Sequence, residues 1–231
     1  MNTSRPVYLF SDSQLLFRKL DGVSFLNSII EDLQKDSLKA AYIGASNNDL
    51  PEFYDHFVAA MENIGIRNCR MIRSSFSKND QNFLEKADII LLSGGDVEQG
   101  WDVFVKTGIR EAIVSKHEEG AILIGISAGA IQLGMCGYRE EEIQEERVFD
   151  AFQFVPYIID VHKEKSDWKN LRKTVLFKGE YTKGIGIPTG GGMIYHEDKT
   201  IEPIRSPLYE FSIKDNQTIE NLLIPPEMDY S

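Results

Sequence analysis

AILIGISAGAIQLG, residues 121–134, runs from four apolar residues into a lone serine set between two glycines, then into a segment of small and apolar residues. An apolar run bounded by turn residues reads as a buried strand, and the spacing after Ser127 reads as a helix. A G-x-S-x-G turn between a strand and a helix places the serine hydroxyl on a strained corner at the top of a sheet. A plain strand-to-helix turn would use the same residues, so partners elsewhere in the chain must decide whether Ser127 is a nucleophile.

Outward from this stretch, apolar runs alternate with helix-period segments. PVYLF (6–10), KAAYIGA (39–45), CRMIRS (69–74), DIILLS (88–93) and AILIGI (121–126) read as strands. Residues 23–34, 50–64 and 102–118 and the short DQNFLEKA segment read as helices, with Phe53, Phe57, Ala60 and Met61 near one face of the second. This alternation predicts an α/β fold with a parallel sheet covered on both faces. Ligands bind such sheets at the carboxyl ends of strands. SGGD (93–96) and GISAGA (125–130) both fall there, so two glycine-rich loops are expected to meet at one edge. The second half changes character: the charged REEEIQEERVFD (139–150), then FQFVPYIIDVH (152–162) leading into a strand, then a helix over 166–177. From Ile185 short strands and turns follow, and the tail IPPEMDYS reads as loop. One domain spanning 1–231 is expected.

The chain of 231 residues is 42% hydrophobic and 26% charged, the balance of a globular protein. Its net charge of −11 opposes a nucleic-acid backbone, so no nucleic-acid partner is expected. The two cysteines, Cys69 and Cys136, form neither a CxxC pair nor a zinc spacing and read as reduced thiols. The apolar stretch in MNTSRPVYLFSDSQ is too short for a signal core or a membrane span. A soluble, cytoplasmic protein without a membrane partner, metal or cofactor is the expectation, and a homodimer remains open.

A nucleophilic serine needs a base. Of the four histidines, His56 lies in a helix, His117 near a helix end, and His196 in a surface turn. His162 closes the strand YIIDV and can reach a sheet edge, which makes it the best candidate. An orienting acid would come from Glu140, Glu141, Glu142, Glu145 or Glu146, most of which read as a solvated face. The amide of Ala128, directly after the serine, is a natural oxyanion donor, with a second from the GG of SGGD.

LLSGGDVEQGW, GISAGAIQLG and FDAFQFVPYIIDVH, in that order, resemble peptidase family S51, which contains aspartyl dipeptidase and cyanophycinase. The resemblance implies a three-layer α/β fold related to class I glutamine amidotransferases and a serine peptidase acting on short peptides. It implies Ser127 as nucleophile, His162 as base, Gly95 and Ala128 as oxyanion donors and Glu140 as the acid, with Glu142 the alternative from counting forward. It also implies a preference for Asp at the scissile bond, served by Arg172, while Lys163, Lys165, Lys169 and Lys173 read as a solvated face. The sequence departs from the family at Asp96, where Asn usually follows the glycines, and at Thr189, where some members carry an acid. Asp96 therefore stands beside the expected substrate site with a charge that would oppose an oxyanion unless it points away. Three rivals share the elbow: a non-catalytic binder of small molecules or proteins, an acyl- or amidotransferase, and an α/β-hydrolase-type esterase that would use His196.

Overall fold

The five parallel strands foreseen from the apolar runs form the middle and one flank of a seven-stranded sheet. The computed structural model describes residues 5–33, 35, 37–138, 148–215 and 217–226. Along the chain the strands are β1 (Val7–Phe10), β2 (Lys19–Leu20), β3 (Val23–Ser24), β4 (Lys39–Ile43), β5 (Asn68–Ile72), β6 (Ile89–Leu92), β7 (Ile122–Ile126), β8 (Cys136–Tyr138) and β9 (Val148–Asp150). They continue as β10 (Ile158–Val161), β11 (Gly184–Ile187), β12 (Gly192–Tyr195), β13 (Ile201–Ile204), β14 (Leu208–Lys214) and β15 (Gln217–Leu223). The α-helices are α1 (Phe25–Ile30), α2 (Pro51–Glu62), α3 (Lys78–Leu84), α4 (Val97–Thr107), α5 (Ile109–Glu118), α6 (Ala128–Leu133) and α7 (Lys169–Lys178).

The main sheet has the order β13-β12-β1-β7-β6-β4-β5. Strands β1, β7, β6, β4 and β5 are parallel, while β12 and β13 extend the sheet in antiparallel fashion. All four residues of β6 are buried, as both faces are covered. Ile90 and Leu92 pack into a cluster with Leu84, Phe104 and Ile113, whereas Ile89 and Leu91 pack with Phe57, Met61 and Leu26 on the other face. This alternation of side chains across the pleat is the reason a continuous apolar run is required at each central strand.

A second sheet, β10-β11-β14-β15, packs onto the α4–α6 side through Ile159, Val161, Ile185 and Ile187, which join the first cluster. Strand β10, which carries the chain to His162, therefore lies outside the main sheet.

Three local expectations are corrected. The helical stretch read over 102–118 is two helices, because Gly108 takes φ +85°, a left-handed conformation that ends α4 and begins α5. The segment read as one helix over 23–34 opens with β3, which pairs with β2, and is α-helical only over Phe25–Ile30, followed by a 3-10 turn over Glu31–Leu33. The helix read after Ser127 is short: α6 stops at Leu133, and Cys136 already begins β8.

Candidate active site

Ser127 sits at the end of β7 with φ 49° and ψ −109°, a strained backbone for a residue with a Cβ. The turn is held from both sides: the Ser127 amide donates to the Phe10 carbonyl at 2.9 Å, and the Gly129 amide donates to the Ser93 carbonyl at 3.1 Å. Residue 129 must be glycine for a packing reason. A Cβ there would lie 2.3 Å from the Leu92 carbonyl oxygen, on the neighbouring strand of the sheet.

His162 follows β10 and also has a positive φ, 45°. Its amide donates to the Ile187 carbonyl at 2.9 Å, which anchors it to β11. Across the gap between the two sheets, Ser127 Oγ and His162 Nε2 are 3.0 Å apart. The other histidines are elsewhere. His117 is buried against Phe154, and burial lowers its pKa. His196 is paired with Glu202 at 2.9 Å on the β12–β13 hairpin. His56 lines the cavity beside Ser127 but does not bond to it.

The two glycine-rich loops meet. A Cβ on Gly94 would approach the Ser127 Cβ to 3.2 Å. Gly95 has φ +133°, and a Cβ there would fall 2.0 Å from the Ser46 carbonyl oxygen, so the loop is pressed against the turn after β4. Buried Gln132 ties the same pieces together, donating to Ser46 Oγ at 3.1 Å and to the Val97 carbonyl at 2.9 Å. The amides on either side of Ala128, and that of Asp96, donate to backbone carbonyls. The amides of Gly95 and Ala128 make no hydrogen bond to a described residue, and both residues line the small cavity that holds Ser127 and His162.

Asp96 caps α4: its Oδ1 accepts from the Gln99 amide at 2.8 Å. Its carboxylate is thereby committed to the helix start. Arg172 is ion-paired with Asp167 and Glu220 and lies 4.5 Å above the Phe211 ring, on the second sheet. It lines neither cavity that contains Ser127. Glu140, Glu141 and Glu142, with the rest of 139–147, lie outside the described residues.

One carboxylate near His162 was not singled out from the sequence. Glu164 Oε1 accepts from Thr189 Oγ1 at 2.7 Å and more weakly from the Thr189 amide at 3.4 Å. Its Oε2 is buried and has no hydrogen-bond partner. Burial pushes this carboxyl's pKa up, but the bonds from Thr189 and its own backbone, with His162 nearby, outweigh it, and the net shift is downward. The signal that could have found it is its place two residues after the candidate base. Asp160, fully buried on β10, has the opposite balance. Burial holds its pKa up against the Tyr138 hydroxyl, the Val161 amide, Lys163 and His162.

Among the described residues no group of three or more His, Cys, Asp or Glu is placed to hold a metal ion, and no helix is long and apolar enough to cross a membrane.

A doubly covered α/β sheet whose elbow serine faces a histidine from a second sheet defines a hydrolase-like architecture. The comparisons narrow it. The sequence matches the profile of peptidase family S51 over residues 13–203, and the chain belongs to that family. A peptidase from an acI-B1 Actinobacterium has a similar fold, with TM-score 0.72 and 17% identity over 98% of this chain and 96% of that one. A Listeria monocytogenes EGD-e protein assigned provisionally to peptidase E is also similar, with TM-score 0.62 and 18% identity over 87% and 98% of the two chains. No curated protein matches significantly. Peptidase is the class of activity that the family membership supports.

Proposed function

We propose that this chain is a serine peptidase acting on short peptides, with Ser127 as nucleophile and His162 as general base. The observation that carries the reading is the 3.0 Å approach of Ser127 Oγ to His162 Nε2, beside two amides with no partner among the described residues.

The chemistry follows from the arrangement. His162 Nε2 takes the hydroxyl proton as Oγ attacks the peptide carbonyl carbon, and the carbonyl oxygen becomes an oxyanion between the Gly95 and Ala128 amides. The C–N bond then breaks, with His162 returning the proton to the departing amine. Water, deprotonated by His162, attacks the acyl ester and releases the acid and free Ser127. Asp96 is directed to the start of α4, where its Oδ1 accepts from the Gln99 amide.

A preference for Asp at the scissile bond rests on the family resemblance alone, and the residues around Ser127 do not favour it. Arg172, the cation it would use, is already paired with two carboxylates.

The test is labelling of the intact protein with a fluorophosphonate, with the adduct located by mass spectrometry. A Ser127 adduct that vanishes in Ser127→Ala and falls sharply in His162→Ala is the expected result. Folded protein that carries no adduct on Ser127 would overturn the reading.

A further inference from the structure

Beside Ser127 and His162 lies a cavity of about 380 Å³, within the range of small-molecule sites. Its walls are Leu16, Tyr42, Phe53, Phe57, Leu91 and Ile126, contributed by the segment after β1, by β4, α2, β6 and β7. Several of the polar groups on its lining are engaged within the protein, while Ser93 Oγ is buried without a hydrogen-bond partner among the described residues. Asn47 donates to the Tyr42 hydroxyl at 2.7 Å, and the two oxygens of Asp12 accept from the amides of Gln14 and Gly190. Among the described residues no lysine or arginine lines it, Asp12 is the one carboxylate, and His56 and His162 contribute imidazoles.

We propose that this cavity is the side-chain subsite, and that the preferred substrates are short peptides with a large apolar residue, such as Phe or Leu, at the scissile bond. This rests on Ser127 being the nucleophile. An acidic side chain here would lose its hydration against these walls, face Asp12, and meet only the imidazoles of His56 and His162 in place of a lysine or arginine. An apolar one would replace water against six apolar walls.

The test uses the intact enzyme and peptidyl phosphonate esters that differ only in the side chain next to phosphorus: benzyl, isobutyl, carboxymethyl or aminobutyl. Second-order rates of Ser127 modification should be on the order of 10²-fold higher for benzyl and isobutyl than for carboxymethyl, and also higher than for aminobutyl, whose ammonium Asp12 compensates in part. Phe53 is 48% exposed on α2, so Phe53→Arg is compatible with folding, and it should reverse the order of benzyl and carboxymethyl. Equal rates, a faster charged group, or an unchanged order in folded Phe53→Arg would overturn the subsite while leaving Ser127 as nucleophile. Failure of every phosphonate and of a fluorophosphonate to modify Ser127 would overturn the nucleophile itself, and the subsite with it.

A different observation bears on His162. Thr189 and Glu164 are bonded to each other where β11 and β10 end, and one Glu164 oxygen is buried without a donor. A buried carboxylate oxygen left unpaired is costly, and the natural donor for it is an imidazole N–H. We infer that Glu164, clamped by Thr189, is the positioning residue that orients His162.

Glu164→Gln should slow Ser127 modification by roughly 10²- to 10⁴-fold, by analogy with loss of an orienting acid. It should also alter the pH profile of that rate, while Glu164→Asp recovers part of it. Thr189→Glu in the Glu164→Gln background should restore most of the loss. A wild-type rate and pH profile in Glu164→Gln, or a loss that tracks only a lowered melting temperature, would overturn the assignment.

Discussion

Ser127 and His162 meet at 3.0 Å although they end strands of different sheets, β7 of the seven-stranded sheet and β10 of the four-stranded one. Both hold positive φ, 49° and 45°. The packing of the two sheets thus supports two strained backbones at the point where their side chains touch. Strain of this kind persists only where the surroundings over-determine it.

That relationship separates stability from activity at position 127. Ser127→Ala and Ser127→Gly should both abolish hydrolysis, by a factor of up to about 10⁶. Glycine relieves the positive φ and alanine does not. The glycine variant should therefore be more stable than the alanine variant by about 1 kcal/mol, as read by urea unfolding.

Gly129→Ala meets a wall of backbone, the Leu92 carbonyl 2.3 Å from the added Cβ. A loss of about 1–3 kcal/mol is expected, as for other overpacked sites. Because α6 must shift to accommodate the methyl group, Ser127 modification should slow as well. Unchanged stability and rate would show that the elbow has slack.

Asp96 is read as a cap. Asp96→Asn preserves the acceptor for the Gln99 amide and should change stability little, whereas Asp96→Ala should cost about 1 kcal/mol. Thermal unfolding of the two variants in one buffer distinguishes a cap from a residue that matters only for its charge.

Asp160 supplies a pH dependence with a definite sign. Burial raises its pKa in the folded protein above the ordinary 3.8. Below that value the group is protonated folded and unfolded, and its contribution is intact. As pH rises through the folded pKa, the folded state must give up a proton it holds more tightly than the unfolded chain does, and stability falls. Asp160→Asn, which cannot ionise, should therefore gain on the wild type as pH climbs from below 3.8 and then hold a constant advantage. Urea midpoints of the pair across that range provide the check.

Burial pushes the thiols of Cys69 and Cys136 up to about 11. At mildly alkaline pH only about one thiolate in a thousand is then present, so a disulfide reagent should react slowly with both cysteines until urea exposes them. Rapid reaction of fully buried Cys136 in the folded protein would contradict its placement.

What the sequence by itself determined was local. The strands near 39–43, 89–92 and 122–126 were legible because a strand covered on both faces has to be apolar throughout. The elbow was legible because its small residues are adjacent in the chain and answer to contacts one strand away. His162 stood out as a histidine closing a strand. Other features came from contacts between distant residues. Whether Asp96 threatened the oxyanion depended on its rotamer toward the Gln99 amide. Whether Arg172 was available depended on Glu220, 48 residues further on. Thr189 looked like a missing acid until the fold laid it against Glu164, 25 residues away. The apolar cavity exists only because α2, β6 and the segment after β1 converge on Ser127. Periodicity reports which face of an element is buried; which side chains then share a cavity is set by how the elements pack.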